Sequence, residues 1–148
     1  MTKDNTVKIM QSIQSELKAP KGQTNKFGGY SYRSAEDILE AVKPLLNKYN
    51  CFLTVSDEIV EVGGRVYVKA TATVHESHSD SIASTTAFAR EAEVKKGMDD
   101  AQITGSASSY ARKYALNGLF AIDDTKDADA TNTHGKSKSL PVVTTTEF

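Results

Sequence analysis

The chain has 148 residues, of which 18 are Lys or Arg, 19 are Asp or Glu and three are His, and 39% of its residues are hydrophobic. This length and composition are typical of one soluble globular domain rather than of a membrane protein or a disordered chain. The single cysteine, Cys51, excludes an intramolecular disulfide and a zinc site built from several cysteines, and the polar amino-terminal sequence predicts no signal peptide.

The first half of the chain predicts two helices. Apolar residues three and four positions apart indicate an amphipathic helix over about residues 4–18, ending before Pro20. A second apolar stripe indicates a helix over residues 34–49, and Ser34 at its start is a favoured N-cap residue. Because proline removes a backbone donor and clashes with the preceding turn, we expect a kink or a break at Pro44.

The segment between these helices, residues 19–33, is rich in Gly and Pro and shows no regular period, so we predict a loop. It carries aromatic residues with flanking cations: Lys26, Phe27, Tyr30, Tyr32 and Arg33. Each aromatic side chain is expected either to stack on a ligand or to fold back over the core.

Alternation of apolar and polar residues predicts strands in the middle of the chain. Residues 52–62 and 65–75 flank Gly63-Gly64, a pair that can adopt the positive φ angles of a tight hairpin. Residues 80–95 predict a third strand of an antiparallel meander. One face of the second strand is expected to be buried: Val66, Val68, Ala70, Ala72 and Val74. The opposite face, which carries Arg65, Tyr67 and Lys69, is expected to be exposed.

A third helix is predicted from Asp99 or Asp100, either of which can cap it, to Phe120. The residues after this helix are mostly polar and predict a flexible tail. The predicted fold class is α+β, with an antiparallel three-stranded sheet packed against helices and a flexible C-terminal tail. We expect the domain to cover residues 1–122 and the tail to cover residues 123–148.

Acidic pairs near both ends of the third helix suggest one enzymatic alternative. Asp99-Asp100 and Asp123-Asp124, with Asp127 and Asp129, could hold two magnesium ions for phosphodiester cleavage. Carboxylates at a helix start are more often caps, and the second pair lies in a region too polar to fix ligand geometry. The histidines lack metal-ligand spacing, and the glycine pairs match no phosphate-binding motif. We therefore predict no catalytic residue, no metal site and no cofactor.

The third helix combines aromatic and cationic residues. Tyr110 and Tyr114 lie four residues apart on one helix face, with Arg112 and Lys113 between them. The tyrosines are expected either to pack in the core or to stack on bases, whereas the cations favour contact with phosphate. A groove that collects such charges binds a phosphate backbone regardless of base sequence. The candidate DNA-binding residues are Arg112, Lys113, Tyr110, Tyr114, Lys95, Lys96, Arg90, Tyr30, Tyr32 and Arg33.

Two segments carry a family resemblance: FGGYSYRSAEDILEAVKPLLNKYN and GMDDAQITGSASSYARKYALNGLFAIDDTKDAD. Together they resemble the signature regions of the ERF (essential recombination function) family of bacteriophage single-strand DNA annealing proteins. The resemblance covers roughly residues 7–129. The matching positions include Tyr30, Tyr32, Tyr110, Arg112, Lys113 and Tyr114.

The resemblance implies ATP-independent binding of single-stranded DNA and annealing of complementary strands in phage homologous recombination, by a homo-oligomeric ring or filament. It also implies that Arg112 and Lys113 contact DNA, with Tyr110 and Tyr114 supporting them or stacking. We expect a non-enzymatic protein of the bacterial host cytoplasm, with no membrane contact and with a host or phage single-strand-binding protein as a candidate partner. The alternatives are a single-strand-binding module without annealing activity and a metal-dependent nuclease.

Overall fold

The computed structural model describes residues 3–77, 81–94 and 96–123. Its elements in chain order are α1 (Lys3–Glu16), β1 (Gln23–Asn25), β2 (Tyr30–Tyr32), α2 (Ala35–Lys48), β3 (Cys51–Val62), β4 (Arg65–Glu76), β5 (Ser81–Arg90) and α3 (Asp100–Phe120). Strands β3, β4 and β5 form an antiparallel sheet in that order, and the three helices pack against one face of it. The predicted α+β fold class is confirmed. The predicted tail lies outside the described residues from position 124 onward.

Capping boxes start the second and third helices at the predicted places. The Ser34 hydroxyl accepts a hydrogen bond from the Asp37 amide (3.2 Å), and the Asp37 carboxylate accepts one from the Ser34 amide (2.9 Å). Asp99 and Gln102 exchange the equivalent pair of bonds at the start of α3, both at 2.9 Å. Each pair satisfies amide groups that the first helical turn leaves without a backbone partner.

Helix α2 continues through Pro44, so the break predicted there is wrong. Proline at this position removes the hydrogen bond to the carbonyl of Glu40. Both residues are exposed, so water can satisfy that carbonyl, while Ile38 and Val42 stay fully buried on the opposite side. After α2 the chain turns at Asn50, whose φ of 58° lies in the left-handed region that asparagine tolerates better than most residues.

The long hairpin of the sheet matches the prediction closely. Strands β3 and β4 pair along their full length, from Cys51 opposite Glu76 to Val62 opposite Arg65. The turn residues Gly63 and Gly64 have φ angles of 58° and 78°, which non-glycine residues rarely adopt.

The third strand is shorter than predicted. Strand β5 ends at Arg90 rather than at residue 95, because its partner β4 begins at Arg65: the Glu91 amide still donates to the Val66 carbonyl (2.8 Å), and beyond it β4 has almost no residues left to pair. The Glu91 side chain accepts a hydrogen bond from Thr104 of α3 (2.8 Å). Near its start, β5 contains a bulge opposite Val74 and His75. The bulge allows both Ile82 and Ala83 to pack against the core.

The core lies between the sheet and the helices. Val68, Ala70, Ala72 and Val74 of β4 are completely buried, as their alternation predicts. Val66, predicted on the same face, is only partly buried because it lies close to the end of the sheet. Facing them, α3 contributes small residues, which let its backbone approach the sheet: Ala107, Ala111 and Ala115. The approach is close at Gly118 as well, where an added Cβ would lie 2.9 Å from Cγ2 of Thr85.

Helices α1 and α2 complete this core. Ile9, Met10 and Ile13 are the buried residues of α1, whereas Val7, which belongs to the predicted apolar stripe, is half exposed. Burying an aliphatic side chain of this size contributes about 1.5–3 kcal/mol relative to leaving it in water, so these contacts dominate the docking of α1.

The segment predicted as a loop, residues 19–33, contains the hairpin of β1 and β2. Asn25 organises its turn: the side-chain oxygen accepts hydrogen bonds from the amides of Phe27 and Gly28, both at 2.9 Å. The ring of Phe27 is fully exposed at the tip, so it does not cover the core. Three-residue strands are too short to give an alternating pattern, which explains why the prediction missed them.

No helix in residues 3–77, 81–94 or 96–123 is long and apolar enough to span a membrane.

Candidate nucleic-acid interface

Two tyrosines on α3 form a stacked pair at the surface. The ring centroids of Tyr110 and Tyr114 are 6.3 Å apart, and the ring planes differ by 24°. Their exposed fractions are 53% and 49%. These side chains are therefore not core residues, and of the two roles open from the sequence the structure favours a surface one. The four-residue spacing places them one helical turn apart, which is why their rings meet.

The tyrosine pair borders a groove between α3 and the end of β5. The groove has a volume of about 510 Å³ and is lined by Ala89, Arg90, Ala92, Met98, Ile103, Ser106, Ala107, Tyr110 and Tyr114. No acidic residue is among these lining residues. The lining combines apolar and small side chains with two aromatic rings and one cation, so a flat apolar group can enter beside a positive charge.

Lys113 connects this pair to the first hairpin. It lies three residues after Tyr110, which makes the two neighbours on the helix surface. Its ammonium group is 5.6 Å from the ring centroid of Tyr32, a cation–π distance. The Tyr32 ring in turn lies 6.2 Å from that of Tyr30.

These contacts define a surface that we call the aromatic strip. It consists of Tyr32, Lys113, Tyr110, Tyr114 and Arg90, in that order across α3 from the hairpin to β5. Tyr30 lies beside its hairpin end. The strip therefore brings together five of the residues predicted to bind DNA, from three separate parts of the chain.

Arg112 lies on the other flank of the helix. Its guanidinium group donates to the Asp57 carboxylate of β3, with Nε 3.1 Å from Oδ1 and Nη2 3.2 Å from Oδ2. The Ser108 hydroxyl donates to the same carboxylate at 2.5 Å. Burial by itself would raise the pKa of Asp57, but the hydrogen bonds from Ser108 and Arg112 and the positive charge of Arg112 lower it below its usual value. Adjacent in sequence, Arg112 and Lys113 thus point to different sides.

The remaining predicted residues are dispersed. Lys96 is exposed in the segment that also supplies Met98 to the groove. Lys95 lies outside the described residues. Arg33 donates from Nε to the carbonyl of Ala19 (2.7 Å) and borders a separate depression near the end of α3 with Phe120. The structure therefore does not bring Arg33 into the aromatic strip.

One of the acidic residues considered for metal binding has a structural role. Asp99 caps α3, and no group of three or more His, Cys, Asp or Glu side chains in the described part of the chain is placed to hold a metal ion. Asp124, Asp127 and Asp129 lie outside the described residues.

Sequence reasoning missed the role of Asp57. On an isolated strand this residue appears as one more polar position, and its alternation with Val55 places it on the core side of the sheet. A carboxylate on a core-facing position is unusual, because burial favours a partner of opposite charge. That anomaly is the signal that could have identified its pairing with a cation on α3.

Comparison with known proteins extends the resemblance seen in the two segments. The family model described as the ERF superfamily matches residues 7–146. The Essential recombination function protein of Salmonella phage P22 is 58% identical over 132 residues, which make up 89% of this chain and 62% of that protein. The chain thus spans less than two-thirds of the length of this curated relative. No solved structure is significantly similar to this chain. Because the family model covers most of its length, the chain belongs to the ERF superfamily.

Proposed function

We propose that this chain binds single-stranded DNA through the aromatic strip and, as a homo-oligomer, anneals complementary strands in phage homologous recombination without ATP. Membership of the ERF superfamily and the name of the phage P22 relative, an Essential recombination function protein, support the recombination role. The stacked and exposed pair of Tyr110 and Tyr114 is the observation that carries the proposal of single-strand binding.

An unpaired base has two open faces, and an exposed tyrosine ring offers a surface on which one of them can stack. If no base stacks on them, the half-exposed rings leave apolar area in contact with water, which is unfavourable. Arg90 and Lys113 lie on either side of the tyrosine pair, so a nucleotide stacked there has a cation within reach of its phosphate. Stacking and charge contacts do not distinguish one base from another, and binding is therefore independent of base sequence.

Assembly is part of the proposal because one small domain covers few nucleotides. Repeating the domain along a strand turns weak single-site binding into tight binding through multivalency. In the described part of the chain, β3 and β5 are the edge strands of the sheet, and such edges can pair with another chain. A ring or a filament would both supply the required repetition.

Family membership also supports proposals about the compartment, the cofactor and the further partner. We infer that the protein acts in the host cytoplasm without a cofactor and as a binding protein rather than an enzyme. A phage or host single-strand-binding protein, whose bound strand must be displaced or shared, is the partner we expect beyond DNA itself.

The test compares strand annealing by the wild-type protein with that by a Tyr110→Ala/Tyr114→Ala variant. Fluorescently labelled complementary oligonucleotides report pairing, and fluorescence anisotropy reports single-strand affinity. We expect the variant to lose about 1–3 kcal/mol of binding free energy for each base no longer stacked. Phe52→Ala is the matched control, since Phe52 is 53% exposed, as Tyr110 is, but lies on the sheet.

Each alternative gives a different result. A wild-type protein that binds single strands without accelerating pairing would be a protecting module only. Fragments that appear on addition of magnesium would instead indicate a nuclease. Normal binding by the double tyrosine variant would remove the aromatic strip from the DNA-binding surface.

A further inference from the structure

The sheet has a second face that no helix in the described residues covers. All three helices pack on the side of Val68 and Ala70, and the alternate residues of β3, β4 and β5 point away from them. Phe52 and Phe88 on this outer face are 53% and 52% exposed. The centre of the face is rich in hydroxyl groups: Thr54, Ser56, Thr71, Thr73, Ser84 and Thr86.

Aromatic and cationic residues alternate at one end of this face. Tyr67 of β4 lies directly opposite Arg90 of β5, and Lys69 lies directly opposite Phe88. The ammonium group of Lys69 is 5.9 Å from the centroid of the Phe88 ring. We call these four residues the outer sheet patch. Side chains that are directly opposite or diagonal on a sheet lie within reach of one another, so each ring of the patch has a cation beside it.

We propose that the outer sheet patch is a second contact surface for unpaired nucleotides, and this inference rests on the proposed binding of single-stranded DNA. Phe88 and Tyr67 offer ring faces for bases, and Lys69 and Arg90 offer charges for the adjoining phosphates. Glu58, opposite Lys69, is the acidic residue that the described strands contribute to this face, so the positive charges predominate.

The position of Arg90 connects this patch with the aromatic strip. Arg90 is the last residue of β5, lines the groove beside Tyr110 and Tyr114, and pairs with Tyr67 across the sheet. A strand bound along α3 therefore meets the outer sheet patch by passing around the end of β5. The patch lengthens the stretch of DNA that one subunit can hold.

A polyanion fits this surface better than a second copy of the same face. A two-fold contact centred on the patch would bring Lys69 and Arg90 close to their own equivalents, and like charges in contact oppose association. A nucleic acid instead provides flat bases for the rings and negative charge for the cations.

Tryptophan fluorescence tests the inference, because the chain contains no natural Trp. Phe88→Trp places a single reporter in the patch, and Phe52→Trp places one of matched exposure at the other end of the same face. On addition of oligothymidylate we expect strong quenching at position 88 and little at position 52, since stacking with a base quenches the indole. Binding is followed separately by the anisotropy of a labelled oligonucleotide.

A second measurement uses a Lys69→Ala/Phe88→Ala variant, with circular dichroism to verify its fold and Phe88→Leu as a milder variant that keeps an apolar side chain. We expect single-strand affinity to fall roughly 5- to 150-fold in the double variant, as for the loss of one stacked base. The inference is wrong if the Phe88→Trp protein binds the oligonucleotide with wild-type affinity but its fluorescence is not quenched. It is also wrong if the fluorescence is quenched equally at positions 52 and 88. In both cases the proposed function stands. A wild-type protein that binds no oligonucleotide overturns the proposed function itself.

Discussion

The Arg112 guanidinium on α3 and the Asp57 carboxylate on β3 form an ion pair that fastens one flank of the helix to the sheet, with Nε 3.1 Å from Oδ1. The aromatic strip lies on the other flank of the same helix. Arg112 therefore has a partner within the fold, and its contribution and that of Lys113 can be separated by experiment.

The first prediction separates these two cations. Arg112→Ala is expected to lower the free energy of unfolding by about 0.5–1.5 kcal/mol, since a partly exposed pair is worth less than a buried one. It should leave the salt dependence of DNA binding unchanged. Lys113→Ala should make that dependence shallower by about 0.7 in the slope of log K against log salt, the value for one phosphate contact on a single strand.

Urea denaturation and salt titrations of binding measure the two effects, with Arg112→Lys as the control that keeps the charge and loses the planar fork. A stable Arg112→Ala protein with a shallower salt slope would show that Arg112 contacts DNA, as its sequence position alone suggests.

The second prediction concerns acid stability. Hydrogen bonds and the Arg112 charge lower the pKa of Asp57 below its usual value of 3.8, so its ionised form favours the folded state. This contribution is fully present above pH 3.8 and is lost as the pH falls through the lower folded-state value. We expect wild-type stability to exceed that of Asp57→Asn at neutral pH, and the difference to shrink in strong acid. Denaturation curves across that range give the answer, and a difference that grew on acidification would contradict the assigned pairing.

The third prediction concerns two glycines of α3 with opposite surroundings. An added Cβ at Gly118 meets Thr85, whereas one at Gly105 has no atom within 4 Å. Gly105→Ala should stabilise the protein by about 1 kcal/mol, the usual helix-propensity gain. Gly118→Ala should fall well short of that gain or destabilise the protein, because overpacking costs about 1–3 kcal/mol.

Thermal unfolding compares the two variants. Adding Thr85→Ser to Gly118→Ala removes the Cγ2 methyl and should restore stability. Equal stabilisation by both glycine replacements would mean that α3 is not held close to β5.

The fourth prediction is that a protein truncated after residue 129 still assembles and anneals DNA in vitro. The removed residues are polar and contain no periodic apolar face that could bind a second copy. Light scattering and the annealing assay are the measurements. A monomer that fails to anneal would show that assembly depends on residues 130–148.

Elements with long and regular patterns could be predicted from the sequence. Twelve alternating residues specify β4 and its buried face, and Ser34 indicates where α2 begins. The start of α3 could be predicted to within one residue, at Asp99 or Asp100. The hairpin of β1 and β2 could not be predicted, because its turn depends on hydrogen bonds of the single residue Asn25. The break predicted at Pro44 is wrong because the solvent exposure that makes a proline tolerable there is a property of the tertiary structure.

The candidate site could be predicted in residue types but not in arrangement. The sequence indicates the aromatic and cationic residues of α3, and also Arg90, as candidates for DNA binding. Which cation shares a surface with the tyrosines depends on where the sheet lies: β3 holds Arg112 on one flank, and Tyr32 meets Lys113 on the exposed side. Local sequence contains no information on either neighbour.

The unbroken pairing of β3 with β4 restricts how this hairpin can change in length. Side chains alternate along both strands, so inserting one residue into β4 would move Val68 and Ala70 to the water side and bring Tyr67 and Lys69 into the core. Only changes by an even number of residues preserve both faces. The single extra residue of β5 is accommodated beside Val74, near the end of the pairing, where few positions follow it. Insertions and deletions among relatives should therefore come in even numbers in the middle of this hairpin, and odd ones should be confined to the last pairs of a strand.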